Sequence, residues 1–173
     1  MRISRIKYNN ISNGIGIRTS LFVVGCSHAC HNCFNKEIWS KNAGEPFTDD
    51  HKRQILQSLA PSHIAGLSLL GGEPMMAYNA LELALLAKEA KELYPDKDIW
   101  VYSGFTYEQI IADPVKLELL KHCDVLVDGK FEQELYSPKL RFRGSSNQRV
   151  IDAQETLKQG QIVPYLEEED FLK

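Results

Sequence analysis

Three of the four cysteines in this 173-residue chain lie close together in one loop. Cys26, Cys30 and Cys33 form a C-x3-C-x2-C spacing directly after the apolar, β-branched run LFVV. Three thiolates at this spacing can bind three corners of an iron–sulfur cube or three positions of a tetrahedral metal site. The fourth position then stays open or takes a ligand from elsewhere in the chain.

Two histidines in the same loop, His28 and His31, permit a zinc site as an alternative. Structural zinc sites usually pair two short ligand arms from separate segments, and the sequence offers no second arm. The remaining cysteine, Cys123, follows a predicted helix beside a buried strand. A cysteine in that setting more often packs as a small apolar side chain than binds metal. The pattern therefore favours an iron–sulfur cluster over zinc.

The composition is that of an ordinary globular protein. With 43% apolar and 25% charged residues, the chain is expected to form one domain over residues 1–173. The net charge of −3, with both signs interspersed, predicts no nucleic-acid partner. No segment is apolar enough for a signal peptide or a membrane span, so we expect a cytoplasmic protein with no membrane partner. Thiols are kept reduced in the cytoplasm, which favours metal binding or redox chemistry over structural disulfides.

Short β-rich runs alternate with helical patterns, which predicts a single α/β unit with a mostly parallel sheet. Thr48, Asn79 and Asp113 are the expected N-caps of helices, and Pro114 takes the first position of the last one. The predicted strands cover about residues 19–24, 66–70, 98–102 and 124–128, with a fifth at 148–152. The predicted helices cover 49–58, 79–95, 106–112 and 114–122.

The residues with unusual chemistry directly follow the predicted strands. Parallel sheets bind ligands at the C-terminal ends of their strands, so these residues are expected to share one rim. A complete eightfold βα barrel needs ~250 residues, so we predict an incomplete, TIM-like barrel with a laterally open groove. The rim residues are Gly25 and Cys26, then Gly71 to Pro74, then Ser103 and Gly104, and finally Asp128 to Lys130.

The C-x3-C-x2-C spacing is typical of the radical S-adenosylmethionine enzymes, and the chain resembles this superfamily in every rim loop. The longer stretch NGIGIRTSLFVVGCSHACHNCFN is similar to that of activases of glycyl-radical enzymes. The short length and the motifs GGEP, DIWVYSGF, VLVDGKF and RGSSNQRVID resemble the activating component of class III anaerobic ribonucleoside-triphosphate reductase. The resemblance spans about residues 13–152, and the tail at 153–173 is expected to be peripheral.

The resemblance implies a 4Fe-4S cluster with three cysteine ligands and S-adenosylmethionine as the second cofactor. The iron without a thiolate would accept the amino and carboxylate groups of S-adenosylmethionine. Gly71 and Gly72 would let the backbone approach the methionine moiety, and Glu73 would accept a hydrogen bond from its amino group. The implied metal ligands are Cys26, Cys30 and Cys33.

The resemblance also assigns the remaining cofactor-binding residues. It places Asn32 and Phe34 beside the adenine, and Ser103 and Gly104 near the ribose or methionine groups. Asp128 and Lys130 fit a functional pair or a solvated surface turn, and the sequence does not decide between them.

The implied activity is the formation of a glycyl radical in the large subunit of anaerobic ribonucleoside-triphosphate reductase, with a flavodoxin-like protein as electron donor. One alternative is another small radical S-adenosylmethionine enzyme that acts on a small molecule, although such enzymes usually need extra segments to enclose the substrate. A different class would be a ferredoxin-like electron carrier or a zinc-binding module. Neither of the latter would cleave S-adenosylmethionine, so that reaction separates the classes.

Overall fold

The apolar runs predicted to be strands form the centre of one sheet. The computed structural model describes residues 1–166, and over these residues the sheet has seven strands in the order β3-β1-β2-β4-β5-β6-β7. The strands are β1 (Arg2–Asn10), β2 (Ile17–Val23), β3 (Glu45–Pro46), β4 (Ile64–Gly71), β5 (Asp98–Tyr102), β6 (Val125–Asp128) and β7 (Arg149–Asp152).

The four central strands, β2, β4, β5 and β6, run parallel to one another. β1 and β3 add antiparallel strands at one edge, and β7 adds another at the opposite edge. The expected α/β class with a mostly parallel sheet is thus confirmed. Val23 pairs with Gly71, and Tyr102 pairs with Val127, so the central strands end at a common edge.

Five α-helices connect or follow the strands within the described residues. Thr48 and Asp113 are N-caps, as predicted: the Thr48 side chain accepts a hydrogen bond from His51 N, and that of Asp113 accepts one from Val115 N. Thr106 caps a further helix with Gln109 in a capping box. The helices are α1 (Asp49–Ser58), α2 (Ala77–Leu93), α3 (Tyr107–Ile111), α4 (Pro114–Leu120) and α5 (Ala153–Gln159).

The prediction that Asn79 caps α2 is wrong. The helix begins two residues earlier, at Ala77, and Asn79 is buried inside its first turn. Its amide Nδ2 donates to the carbonyl oxygens of Val24 and Glu73, both at 3.0 Å. The amide thus joins the ends of two strands instead of capping a helix.

The tail expected to be peripheral begins with α5. Ala153 and Thr156 of this helix are fully buried, and the Asp152 side chain caps it by accepting a hydrogen bond from Glu155 N. Residues 167–173, the last part of that tail, lie outside the described residues.

Alternate residues of the central strands face opposite sides of the sheet, as strand geometry requires. Ile99 and Val101 of β5 pack in the large core that also contains residues from all five helices. Trp100 belongs to a smaller cluster on the other side, where Tyr102, Phe142 and Tyr165 pack against it. We call this second side, which carries Trp100 and Tyr102, the inner face of the sheet.

Arg18 is a fully buried charge on the inner face. Its Nε donates to Ser68 Oγ at 2.7 Å, and its Nη1 lies 2.6 Å from Asp98 Oδ1. The guanidinium also packs against the Trp100 ring, 5.4 Å from its centroid. A buried guanidinium is tolerated only with such partners, so this network joins β2, β4 and β5 from inside.

Candidate active site

A cavity of about 410 Å³ lies at the C-terminal ends of β2, β4 and β5. Its volume is within the range of small-molecule sites. The loops after these strands line it together with part of the segment that follows β6. Among the lining residues are Cys26, Cys30, Cys33, Phe34, Gly71, Gly72, Glu73, Ser103 and Gly104. The structure therefore brings together all but one of the predicted site residues.

Asn32 is the predicted site residue that does not line this cavity. It is exposed and has a φ of 54°, in the left-handed region. The next residues do face the cavity: Phe34 lines it, with its ring 5.4 Å from that of Phe131. Asn35, which was not predicted, lines the cavity too, and its side-chain amide donates to Gly71 O at 3.3 Å.

The cysteine loop is fixed at its base by backbone hydrogen bonds. Gly25 N donates to Ile38 O at 2.8 Å, and Cys26 N donates to Trp39 O at 2.9 Å. A turn closed by the bond from Cys33 N to Cys30 O, at 3.2 Å, brings the last two cysteines together. The start of the loop, after β2, is thus hydrogen-bonded to its end at Ile38 and Trp39. The three half-buried thiols lie between these two ends.

Burial raises the pKa of the Cys26 thiol to about 11, and nearby Glu73, Cys30 and Cys33 act in the same direction. Burial also raises the pKa of Cys30. These thiols are therefore protonated near neutral pH, and a metal must displace their protons to bind.

The three cysteines supply the donor set of an iron–sulfur cube. In residues 1–166, no three histidine, cysteine, aspartate or glutamate side chains are grouped to hold one metal ion. A 4Fe-4S cluster requires a different arrangement, because each thiolate binds a separate iron. Three thiols that line one cavity provide that arrangement.

Glu73 is the most highly connected side chain of the site and is only 1% exposed. Its Oε1 accepts hydrogen bonds from Ser103 Oγ at 2.8 Å and Met75 N at 2.9 Å. Its Oε2 accepts one from Gly104 N at 2.7 Å and lies 2.7 Å from His28 Nε2. The carboxylate therefore holds the loops after β2, β4 and β5 together, a role that the sequence did not reveal.

The two glycines before Glu73 allow two strand ends to approach each other. A Cβ on Gly71, which has a φ of 117°, would lie 2.5 Å from Val23 O. A Cβ on Gly72 would lie 2.6 Å from Gly25 O. The end of β2 and Gly25 thus occupy the space that a side chain would need at either position, which accounts for both glycines within the protein itself.

The surroundings of His28 differ from those of a metal ligand, the role that the sequence permitted for it. Besides its contact with Glu73, its ring packs edge-on against Phe105 at 4.5 Å. A Cβ on Gly104 would lie 2.4 Å from His28 Cδ2, so a larger residue there would displace the ring. The imidazole thus fills the gap between the cysteine loop and the end of β5.

Several cavity residues were missed because their positions had no recognised pattern. Tyr102, the last residue of β5, lies on the inner face, and the alternation in DIWVY is a signal that could have identified it. Ser12 and Asn13 lie between β1 and β2. Six more lie in the irregular segment after β6, namely Phe131, Leu140, Phe142, Arg143, Gly144 and Gln148.

Asp128 pairs with Arg149 and not with Lys130. The Asp128 carboxylate is 1% exposed, accepts from Arg149 Nε at 2.9 Å and from Tyr107 N at 2.7 Å. Arg149 also binds Glu108, and its hydrogen bond lowers the pKa of that carboxyl to about 2. The group is a structural connection between β6, β7 and α3.

Cys123 lies in the large core and is not among the residues that line the cavity. Its Sγ donates to Leu119 O at 3.3 Å, and burial raises the pKa of the thiol. These surroundings are those of a cysteine that packs as an apolar side chain.

Across residues 1–166, no helix has the length and apolar character needed to cross a membrane.

Comparison with known proteins matches residues 12–151 to the family model of the 4Fe-4S single cluster domain.

Curated relatives match most of the chain and carry one name, anaerobic ribonucleoside-triphosphate reductase-activating protein. The one from Pasteurella multocida is 46% identical over 143 residues, which cover 82% of this chain and 90% of the relative. That from Enterobacteria phage T4 is 40% identical over 87% of this chain and 93% of its own length. The Escherichia coli K12 protein is 41% identical over 82% of this chain and 92% of its own length. The chain therefore belongs to the family of anaerobic ribonucleoside-triphosphate reductase-activating proteins, and its site is that of a single 4Fe-4S cluster domain.

Proposed function

We propose that the protein activates an anaerobic ribonucleoside-triphosphate reductase by forming a glycyl radical in its large subunit, with S-adenosylmethionine as the source of the radical. The observation that carries this proposal is the convergence of three thiols and the Glu73 network on one cavity. The family membership gives the reductase as the partner, since the relatives are named as its activators.

The residues present fit a 4Fe-4S cluster held by Cys26, Cys30 and Cys33, with one iron left for S-adenosylmethionine. When bound, such a cluster supplies the single electron that cleaves S-adenosylmethionine into methionine and a 5'-deoxyadenosyl radical. The expected products are 5'-deoxyadenosine and a glycyl radical on the partner, whose glycine would lose its Cα hydrogen atom. A flavodoxin-like protein is our proposed electron donor, and the cytoplasm our proposed location.

We propose that Glu73 accepts a hydrogen bond from the amino group of S-adenosylmethionine. Both of its oxygens already accept hydrogen bonds within the protein, so an N–H of the amino group, whose lone pair would bind the iron, must take the place of a present partner or share an oxygen with it. His28 is the partner best suited to move, because its contact with Glu73 is made by a side chain of the cysteine loop, whereas Met75 and Gly104 donate from the backbone. Ser103 and Gly104 would keep the carboxylate in position during that exchange.

Phe34 is assigned to the adenine. Its ring is 70% exposed at the cavity and packs against Phe131 and Tyr136, so it offers an aromatic face for stacking. Asn32 could contact the adenine, as the resemblance implies, only after the turn before Cys33 moves.

We also propose that the sheet is an incomplete TIM-like barrel. All five helices contribute to the core on one side of it, and the cavity lies on the inner face. The antiparallel strands β3 and β7 occupy the two edges, so the sheet is not closed on itself within residues 1–166. A laterally open groove would let a loop of a large partner reach the cofactors.

The test is anaerobic reconstitution with iron and sulfide, followed by S-adenosylmethionine, a reductant and the reductase large subunit. We expect release of 5'-deoxyadenosine and a doublet electron paramagnetic resonance signal on the partner, which oxygen should then cleave at the radical glycine. A modified small molecule without a partner radical would favour the alternative radical enzyme. No 5'-deoxyadenosine at all would favour an electron carrier or a zinc module.

A further inference from the structure

A second, smaller cavity, of about 260 Å³, lies beside the base of the cysteine loop and is lined by Met1, Arg2, Lys41 and Tyr78. Tyr78 belongs to the first turn of α2, and its hydroxyl lies so close to Gly25 that a Cβ there would collide with it. Gly25 directly precedes Cys26, so this cavity is adjacent to one of the three proposed cluster ligands. None of its four lining residues lines the larger cavity of the active site.

The segment 36–41 connects the protein surface to the same cysteine. Cys26 N donates to Trp39 O at 2.9 Å. Trp39 is half-buried, and Lys36 Nζ lies 6.0 Å from the centroid of its ring. Lys41, at the end of the segment, is exposed. A short path of covalent and hydrogen bonds thus leads from the surface to Cys26 without crossing the larger cavity.

The surface around the smaller cavity is positively charged. The Arg2 guanidinium donates to two backbone carbonyl oxygens, which are neutral groups and leave its charge uncompensated. Within residues 1–166, neither Lys36 nor Lys41 has a carboxylate at ion-pair distance. Glu37 is the one acidic residue between positions 34 and 44, and the nearby Glu82 carboxylate is bound by the N-terminal amine. Three positive side chains therefore face one uncompensated negative side chain.

Exposed apolar side chains lie next to these charges. Tyr78 and Leu81 are 46% and 52% exposed, and residues three positions apart on a helix are neighbours on its surface. Complexes between electron-transfer proteins use small interfaces of this kind, in which apolar groups are surrounded by charged ones. Because the whole chain has a net charge of −3, a local positive area also determines where an acidic protein can approach.

We propose that this surface, formed by Arg2, Lys36, Lys41, Tyr78 and Leu81, is the docking site of an acidic electron-transfer protein that reduces the cluster. This inference rests on the proposed function, since it assumes that the three cysteines hold a 4Fe-4S cluster. In the docked complex the carrier loses one electron and the cluster gains it, and no atom is transferred. The reductase segment enters the larger cavity, so the two partners do not compete for one surface.

The test compares Lys41→Glu with Lys139→Glu, which reverse the charge of exposed lysines that have no ion pair in the described part of the chain. Lys139 precedes Leu140, which lines the larger cavity, so it reports on docking at that cavity. Each reconstituted protein is mixed anaerobically with reduced flavodoxin, an acidic one-electron carrier, or with reduced methyl viologen, a small donor that needs no docking. The rate of cluster reduction is followed by stopped-flow absorbance. The dissociation constant for oxidised flavodoxin is measured by anaerobic calorimetry.

We expect Lys41→Glu to raise the dissociation constant for flavodoxin about three- to tenfold, because repulsion replaces attraction at an exposed site. Reduction by low concentrations of flavodoxin should slow by a similar factor, and both effects should shrink at high salt. Lys139→Glu should stay within about twofold of wild type, as should the reduction of either variant by methyl viologen.

A Lys41→Glu protein that behaves like wild type or like Lys139→Glu would overturn the proposal. So would flavodoxin binding that does not depend on salt. Slower reduction of Lys41→Glu by methyl viologen would also overturn it, because the substitution would then act on the cluster itself. Failure of the proposed function is distinct: the wild-type protein reduced by methyl viologen would release no 5'-deoxyadenosine from S-adenosylmethionine.

Discussion

Replacing Glu73 with alanine should lower the free energy of unfolding of the cluster-free protein by about 2–6 kcal/mol. The carboxylate accepts hydrogen bonds from Ser103 and Met75, which are 6% and 0% exposed. Each buried donor left without a partner costs about 1–3 kcal/mol. Gly104 N and His28 are only partly buried, so water can replace the carboxylate there at lower cost.

Glu73→Gln separates the structural role from the charge. The amide oxygen of glutamine can still accept hydrogen bonds from two of the four partners. Its NH2 group then faces the other two partners, and in either orientation of the amide these include an N–H donor, Met75 N or Gly104 N. We therefore expect a smaller loss of stability than for alanine, about 1–3 kcal/mol. The matched control is Glu92→Ala on the exposed side of α2, where the ion pair with Lys88 spans 4.0 Å and should contribute less than about 0.5 kcal/mol.

The assay is equilibrium urea unfolding of the reduced, cluster-free proteins, followed by the fluorescence of the two tryptophans, Trp39 and buried Trp100, and by circular dichroism. The same variants, reconstituted with iron, are then titrated with S-adenosylmethionine under argon. Glu73→Gln should weaken its binding by ~1–3 kcal/mol, the value of a charge-assisted hydrogen bond. Unfolding curves that match wild type for both variants would refute the network. Unchanged S-adenosylmethionine binding would refute the assignment of the amino group.

Further expected outcomes concern the cluster, the pH dependence and the inner face. Alanine at any of the three loop cysteines should abolish the brown chromophore and bound iron, whereas Cys123→Ala should retain iron and only destabilise the core; loss of iron in Cys123→Ala alone would contradict the open fourth site. The pKa of Glu108 is lowered to about 2 by Arg149, so the pair stabilises the fold above about pH 4.5 and loses that effect as the pH falls toward 2. Because the Glu108 side chain is 59% exposed, Glu108→Gln should cost less than about 1 kcal/mol at pH 7, and its unfolding free energy should converge with wild type in acid. Arg18→Ala should cost ~3–5 kcal/mol in urea unfolding, since Arg18 is fully buried and holds Ser68 and Asp98; a cost under 1 kcal/mol would show that the network is not formed.

The central strands and the capped helices were predictable because each depends on local patterns. β1 was missed for a physical reason: it pairs on one side with a strand of only two residues, and its register with β2 shifts twice, between Ile3 and Arg5 and between Lys7 and Asn10. Such irregularities interrupt the alternation of apolar and polar residues by which a strand is recognised. A strand of this kind is identified only by its partners.

The sequence predicted which loops form the candidate site, but it did not predict the contacts between individual atoms. The cysteine loop, GGEP and Ser103 were expected at one rim because parallel strands end together. The contacts of Glu73 with His28 and Gly104 join residues 45 and 31 positions apart, and no local pattern specifies them. Phe131 and Phe142 lie in an irregular segment, so only the folded chain shows that they line the cavity.

The register in which β2 pairs with β4 also determines the geometry of the site. Pairing of β2 with β4 ends at Val23 and Gly71, but the hydrogen bonding continues beyond it. Gly72 N donates to Val23 O and Glu73 N donates to Gly25 O, both at 2.8 Å. Glu73 is thus positioned by an extension of the parallel ladder, and the carboxylate then fixes the next strand end through Ser103. Because a shift of one residue would turn each side chain to the other face, the same pairing that builds the core also directs Glu73 into the cavity.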